Sequence, residues 1–172
     1  MRKVHLQDHD PNWANAFHSE FKRLKSVMGA TLIQAHHIGS TAIPGIKAKP
    51  VIDMVVETDS LEAIDAFNED LQTLGYVAEG EYGIKNRRFF HKGGDLRTHH
   101  LHVFKKGNPE IQRHVNFVQY LNAHLEQARA YEALKLELSL KFKNRPQAYA
   151  EAKTEFIKGI DRVASVWKDA DE

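Results

Sequence analysis

The 172-residue chain has no cysteine. Disulfides, Cys-ligated zinc, iron–sulfur clusters and thiol nucleophiles are therefore excluded. No apolar run approaches the ~18 residues that a membrane-spanning helix requires. Asp8, Asp10 and Pro11 stand where a signal peptide would carry its apolar stretch, so a reducing cytoplasm is the expected location. An excess of one charge is missing too: 24 Lys and Arg face 23 Asp and Glu, which leaves +1. That balance argues against a dedicated polyanion binder, although a local basic patch stays open. Internal repeats and low-complexity segments are also absent. A chain of this length buries roughly 70% of its unfolded surface, so one domain over residues 1–172 is expected, with no need of staples.

Histidine is what the chain has in excess. There are eleven, and five of them lie between His91 and His114. Such clustering raises the odds of metal or phosphate chemistry, although solvated histidines produce it as well.

The hydrophobic pattern gives a mixed set of elements. Asp10-Pro11 starts a helix whose Trp13, Phe17, Phe21 and Leu24 share one face and which Gly29 stops. Strands are expected over 31–38 and 51–57, joined by a loop containing Pro44-Gly45 and Lys49-Pro50. Ser60 caps a helix running to Leu74, which Gly75 ends. Short strands at 76–77 and 88–91, a Gly93-Gly94 turn and a strand at 99–104 come next. The remainder reads as helix: 109–143, broken near His124, and then 146–167. Strands followed and flanked by helices in this order make an α+β domain.

Within this frame, Gly39-Ser40 and Asp53 carry the clearest chemistry. A glycine lets backbone approach a ligand, and a serine hydroxyl with exposed amides holds phosphate. Asp53 interrupts the apolar run Val51, Ile52, Met54, Val55, Val56. A carboxylate there needs a cation or hydrogen-bond partners, because burying it alone costs several kcal/mol. A metal ion such as Mg2+ is one solution, and a structural acceptor for loop amides is another.

The run from His37 to Asp53, HIGSTAIPGIKAKPVID, resembles the signature of the GrpB family. Arg87-Arg88-Phe89-Phe90, Thr98 to Val103, and Tyr149 with Lys153, Phe156 and Ile157 agree with it. The resemblance covers most of the chain. It implies the nucleotidyltransferase fold of the DNA polymerase beta superfamily: a mixed sheet flanked by helices, with C-terminal helices packed alongside. In that superfamily Gly-Ser precedes a strand bearing two metal-binding acids one position apart, and a later strand supplies a third. Asp53 fills the first place, but Val55 fills the second. Glu57 lies on the same strand face, roughly 13 Å from Asp53 at ~3.3 Å per residue, too far to share one small ion easily.

His100 and His102 alternate on the later strand, so both face one side. Asp53, His100 and His102 are thus a candidate metal set. Mg2+ or Mn2+ is implied by the superfamily, and imidazole adds Zn2+ as a further candidate. The same histidines also suit a general base, a phosphate contact, or hydrogen-bonded pocket residues without metal. Lys49 and Arg88 are the preferred phosphate contacts, whereas Lys47 and Lys92 read as solvated surface charges. In the superfamily such C-terminal helices often cover the substrate cleft, so the resemblance lets Arg113, His114, Tyr149 or Lys153 reach the site, although each reads first as a packing or solvated residue of the helices.

The resemblance therefore implies transfer of a nucleotidyl group from a nucleoside triphosphate to a small acceptor. Gly39, Ser40, Lys49, Arg88 and His100 would hold substrate, and Asp53 and His102 would be catalytic. A non-catalytic nucleotide or metabolite binder on the same fold is the alternative, which Val55 supports. A histidine-rich metal-dependent hydrolase is the third. A nucleic-acid partner is not expected at +1, nor is a membrane partner.

Overall fold

The computed structural model describes residues 5–170, so both ends of the expected 1–172 domain lie outside it. Its centre is a five-stranded mixed sheet: β1 (Gln34–Ile38), β2 (Ile52–Thr58), β3 (Tyr76–Ala78), β4 (Arg87–Lys92) and β5 (His99–Lys105). The spatial order is β1-β2-β5-β4-β3. β2 and β5 are parallel, and every other pair is antiparallel. The helices are α1 (Asn12–Met28), α2 (Leu61–Asp65), α3 (Asn68–Thr73), α4 (Pro109–Ala123), α5 (Leu125–Lys141), α6 (Pro146–Ala152) and α7 (Thr154–Ala170). The α+β class and the helix-flanked mixed sheet stand as expected from the sequence.

Both faces of the sheet are covered. Met54, Val56, Leu101 and Val103 pack against Trp13, Phe17 and Leu24 of α1 and against Ile64 and Leu71. Val55, Phe104 and Ile38 point the other way, onto Phe117, Leu121, Tyr131 and Ile160 of the C-terminal helices. β2 is buried on both faces, which explains its near-continuous apolar run.

Several boundaries move for local reasons. Asp10 caps α1 as read, its Oδ1 accepting from the Asn12 amide at 2.9 Å. The first strand begins at Gln34 because a 3-10 turn, Gly29–Thr31, intervenes, its Leu32 amide bonded to the Gly29 carbonyl. The helix expected over 60–74 starts under the Ser60 cap, whose Oγ accepts from the Ala63 amide at 3.2 Å. It then divides, because the Phe67 amide bonds three residues back to the Ile64 carbonyl and tightens the turn. The helix expected over 146–167 is likewise two helices, with the break at Lys153.

Candidate functional site

The loop between β1 and β2 is folded back on the sheet. His37 Nε2 lies 2.9 Å from Thr41 Oγ1, and that hydroxyl donates to the Val51 carbonyl at 3.3 Å. Burial, aided by nearby His18 and His9 against the pull of Asp53, lowers the His37 pKa to about 4. His37 is therefore neutral at pH 7. Gly39 has φ +73°, and a Cβ there would fall 2.8 Å from Asp53 Oδ2. No other residue fits this turn: an L side chain would be strained by φ and would strike the carboxylate. The close approach that Gly39 permits is to Asp53 of the same chain.

Asp53 pairs in register with His100, and Val55 with His102, so the three polar side chains share the face expected from the sequence. His100 Nδ1 is 3.3 Å and His102 Nε2 3.6 Å from Asp53 Oδ1. Burial opposes ionisation of Asp53. The hydrogen bonds from His100 and His102 outweigh it and hold the carboxyl well below the usual carboxylate range.

Partner chemistry fixes the ring tautomers. Arg87 Nη1 lies 3.2 Å from His102 Nδ1. A guanidinium only donates, so His102 Nδ1 is the acceptor and Nε2 carries the proton toward Asp53. Burial, with Arg87 adding its charge, lowers the His102 pKa despite Asp53. His100 directs Nδ1 at the acceptor-only carboxylate, which leaves its Nε2 as the acceptor. That Nε2 is buried with no partner.

Above this carboxylate lie two adjoining cavities, of about 230 and 280 Å3, which share Gly39, Asp53, Tyr131 and Lys153. The first adds Ser40, Lys49, His100, Lys135 and Tyr149, and the second adds His102, Arg113 and His114. Burial and the neighbouring Lys153 lower the Lys135 pKa to about 7, and its Nζ donates to the Lys47 carbonyl at 2.7 Å. Burial lowers Lys153 as well, against the pull of Asp53. Lys153 and Lys49 stand 4.6 and 5.3 Å from the Tyr149 ring centroid, and the buried Tyr149 hydroxyl has no partner. Burial lifts Tyr131 to about 12, and the Ser40 hydroxyl reaches its phenol. Arg113 is neutralised by Glu110 and by Asp161, the latter at 2.9 Å. Burial and Arg113 bring His114 down to about 4.

Three expectations need correction. Arg88 is not brought to this site. It projects from the opposite face of β4, where its Nε donates to Asp65 Oδ1 at 2.7 Å. Its neighbour Arg87 faces the site instead. The metal set is not formed either: among the described residues no group of three His, Cys, Asp or Glu side chains is arranged to hold a metal ion. His102 Nε2 holds its proton against Asp53, and a ligating nitrogen must be bare. Glu57 is committed elsewhere, 2.6 Å from His36 Nε2. The residues present do not fit the two-metal arrangement of the superfamily, which needs bridging carboxylates. Lys47 lies at the surface as read, paired with Asp8, but Lys92 is not a solvated charge: its Nζ donates to the buried Glu20 at 2.9 Å.

Lys135 escaped the sequence reading. The signal was available: Lys135 follows Tyr131 by four residues and precedes Leu138 by three, so it sits inside an apolar helical stripe. Lys153 stands in the same relation to Tyr149 and Phe156.

A sheet with this order, carrying Asp53 beneath a Gly-Ser turn, defines a nucleotidyltransferase-like fold. The Cid1 poly(U) polymerase, in a structure with MgGTP bound, superposes on 84% of this chain and 50% of its own with a TM-score of 0.54, at 11% sequence identity. The chain belongs to the GrpB protein family, whose model matches residues 3–162. The crystal structure of the conserved protein GrpB from Enterococcus faecalis covers 95% of this chain and 99% of its own, with a TM-score of 0.90 and 33% identity. Glutamate-rich protein GrpB of Alkalihalophilus pseudofirmus is 35% identical over 163 residues, covering 92% of this chain and 94% of that one. UPF0157 protein YqkA of Bacillus subtilis is 44% identical over 167 residues and 97% of this chain, which spans only 49% of YqkA. No helix among the described residues is long and apolar enough to cross a membrane.

Proposed function

We propose that the chain binds a nucleoside triphosphate in this cavity and transfers its nucleotidyl group to a small-molecule acceptor with a hydroxyl or amine. One observation carries the reading: the buried Lys135 and Lys153 converge beside the Gly39-Ser40 turn, and Asp53 is the one carboxylate among the described residues lining both cavities. A polyanion is the ligand that this imbalance favours. A buried ammonium group costs folding energy, and an arriving phosphate offsets that cost by ionising Lys135 fully.

In this reading Ser40 and the lysines hold the phosphates. The acceptor attacks the α-phosphorus in line, the bond to the bridging oxygen of the β-phosphate breaks, and pyrophosphate leaves. Lysine charge stabilises the oxygens on which negative charge develops. Asp53 orients His100 through Nδ1, and His100 Nε2 takes the acceptor's proton. His102 and Arg87 hold Asp53 in place. No step runs through a protein-bound metal, and a divalent cation arriving on the triphosphate belongs to the substrate.

A second reading is binding without transfer. Its specific support is Val55, fully buried where the superfamily places its second acid. One experiment separates the two: pyrophosphate release from each of the four ribonucleoside triphosphates with a pool of small-molecule alcohols and amines, alongside calorimetry. Release by the native chain and none by Asp53→Asn is expected. Binding without release establishes the second reading, and no binding of any triphosphate overturns both.

A further inference from the structure

A third cavity, of about 490 Å3, continues from the lysine cavity, sharing Lys49, His100 and Ala150 with it. Tyr82, Phe89, Arg97, Pro146 and Gln147 line the rest of its wall. Tyr82 is 60% exposed, a large aromatic ring held open to solvent. It stacks on Phe89 with ring centroids 5.2 Å apart and planes 10° from parallel.

The segment carrying Tyr82 is held in an uncommon conformation. Tyr82 itself has φ +50° and Asn86 has φ +65°, both unusual for residues other than glycine. Arg87 clamps it: Nη2 donates to the Tyr82 carbonyl at 2.9 Å and Nε to the Glu81 carbonyl at 3.2 Å. The third donor of the same guanidinium is the one on His102. One side chain thus couples the aromatic ring to the Asp53–His102 pair.

We infer that Tyr82 is a stacking platform for the nucleobase, with the base lying in the 490 Å3 cavity while the phosphates reach the lysines. This rests on the nucleotide reading above and adds the base subsite to it. A planar heterocycle gains on a preordered aromatic face whatever its identity, because every base presents a π-face. The Phe89 ring behind Tyr82 fixes its plane in advance, so little rotamer freedom is lost on binding. Gln147 and Arg97 are placed at the wall to meet base edges.

The test compares ATP with inorganic tripolyphosphate, which has the phosphates and no base, by calorimetry on the full chain. Tyr82→Ala should weaken ATP by about ten-fold and leave tripolyphosphate unchanged, and Tyr82→Trp should retain ATP affinity. If the native chain binds both equally, or Tyr82→Ala weakens both alike, the platform is overturned while the phosphate site stands. If the native chain binds neither, the nucleotide reading fails and the platform with it.

Discussion

His99 and His100 are neighbours in β5, yet they face opposite sides of the sheet and two different kinds of buried carboxylate. On the α1 side, Glu20 is fully buried and surrounded: Tyr76 Oη at 2.8 Å, Lys92 Nζ at 2.9 Å, Arg23 Nη1 at 3.1 Å and His99 Nε2 at 3.6 Å. Burial opposes its charge, and Lys92 with Tyr76 outweighs that and holds it ionised. The network is closed, and its donors converge on one acceptor. On the C-terminal helix side, Asp53 opens onto a cavity lined by buried lysines, and two buried polar atoms of that lining, His100 Nε2 and Tyr149 Oη, lack partners. Burial is common to both carboxylates. The distinction is satisfaction: a closed polar network stabilises a fold, whereas an unbalanced one marks where a ligand belongs.

Breaking each side in turn should give opposite phenotypes. Glu20→Ala leaves Lys92 without its carboxylate and should cost about 3–5 kcal/mol of stability in denaturant unfolding, the cost of breaking a buried ion pair. The affinity of the folded fraction for triphosphate should not change. Lys135→Met should do the reverse. Loss of a charge-assisted contact should cost about 1.5–3 kcal/mol of triphosphate binding by calorimetry, while stability at pH 7 rises.

Lys135 also carries a pH signature. With a folded-state pKa of about 7 against 10.5 unfolded, the unfolded chain holds more protons between those values. The stability penalty is therefore fully present below pH 7 and fades as pH rises toward 10.5. Triphosphate binding should run the other way, strengthening as pH falls through 7 because the ammonium form attracts the anion. Lys135→Met should flatten both slopes in pH series at fixed ionic strength.

Smaller effects sharpen the contrast. Gly39→Ala puts an L residue at φ +73° against Asp53 and should cost about 1–3 kcal/mol of thermal-melt stability together with measurable ligand affinity. Arg88→Ala removes a partly exposed pair with Asp65 on the far face. It should change stability by no more than about 1 kcal/mol and binding not at all.

The strands that hold the site were legible because polar residues break their apolar runs at period two. Asp53, His100 and His102 could therefore be placed on one face before any coordinates. The same period says that Arg87 and Arg88 face opposite ways but not which of them faces the site. That choice depends on register, Arg87 falling opposite Phe104 and Arg88 opposite Val103. Lys135 and Lys153 were harder to read because a lysine inside an apolar stripe also reads as a long stem reaching solvent. Only the arrival of α5 and α6 over the Gly39-Ser40 turn makes them cavity residues. The tautomer of His102 was out of reach, since it depends on a guanidinium fifteen residues away in sequence.

On the proposed reading the two sheet faces differ in purpose, one closed for folding and the other open to a triphosphate. Amide NMR of the full chain titrated with ATP tests it most directly. Saturable shifts are expected at Gly39, Ser40, Thr41, His100 and Ala150, with Glu20, Arg23 and Lys92 unmoved. Shifts centred on the Glu20 network, or none anywhere at millimolar ATP, would contradict it.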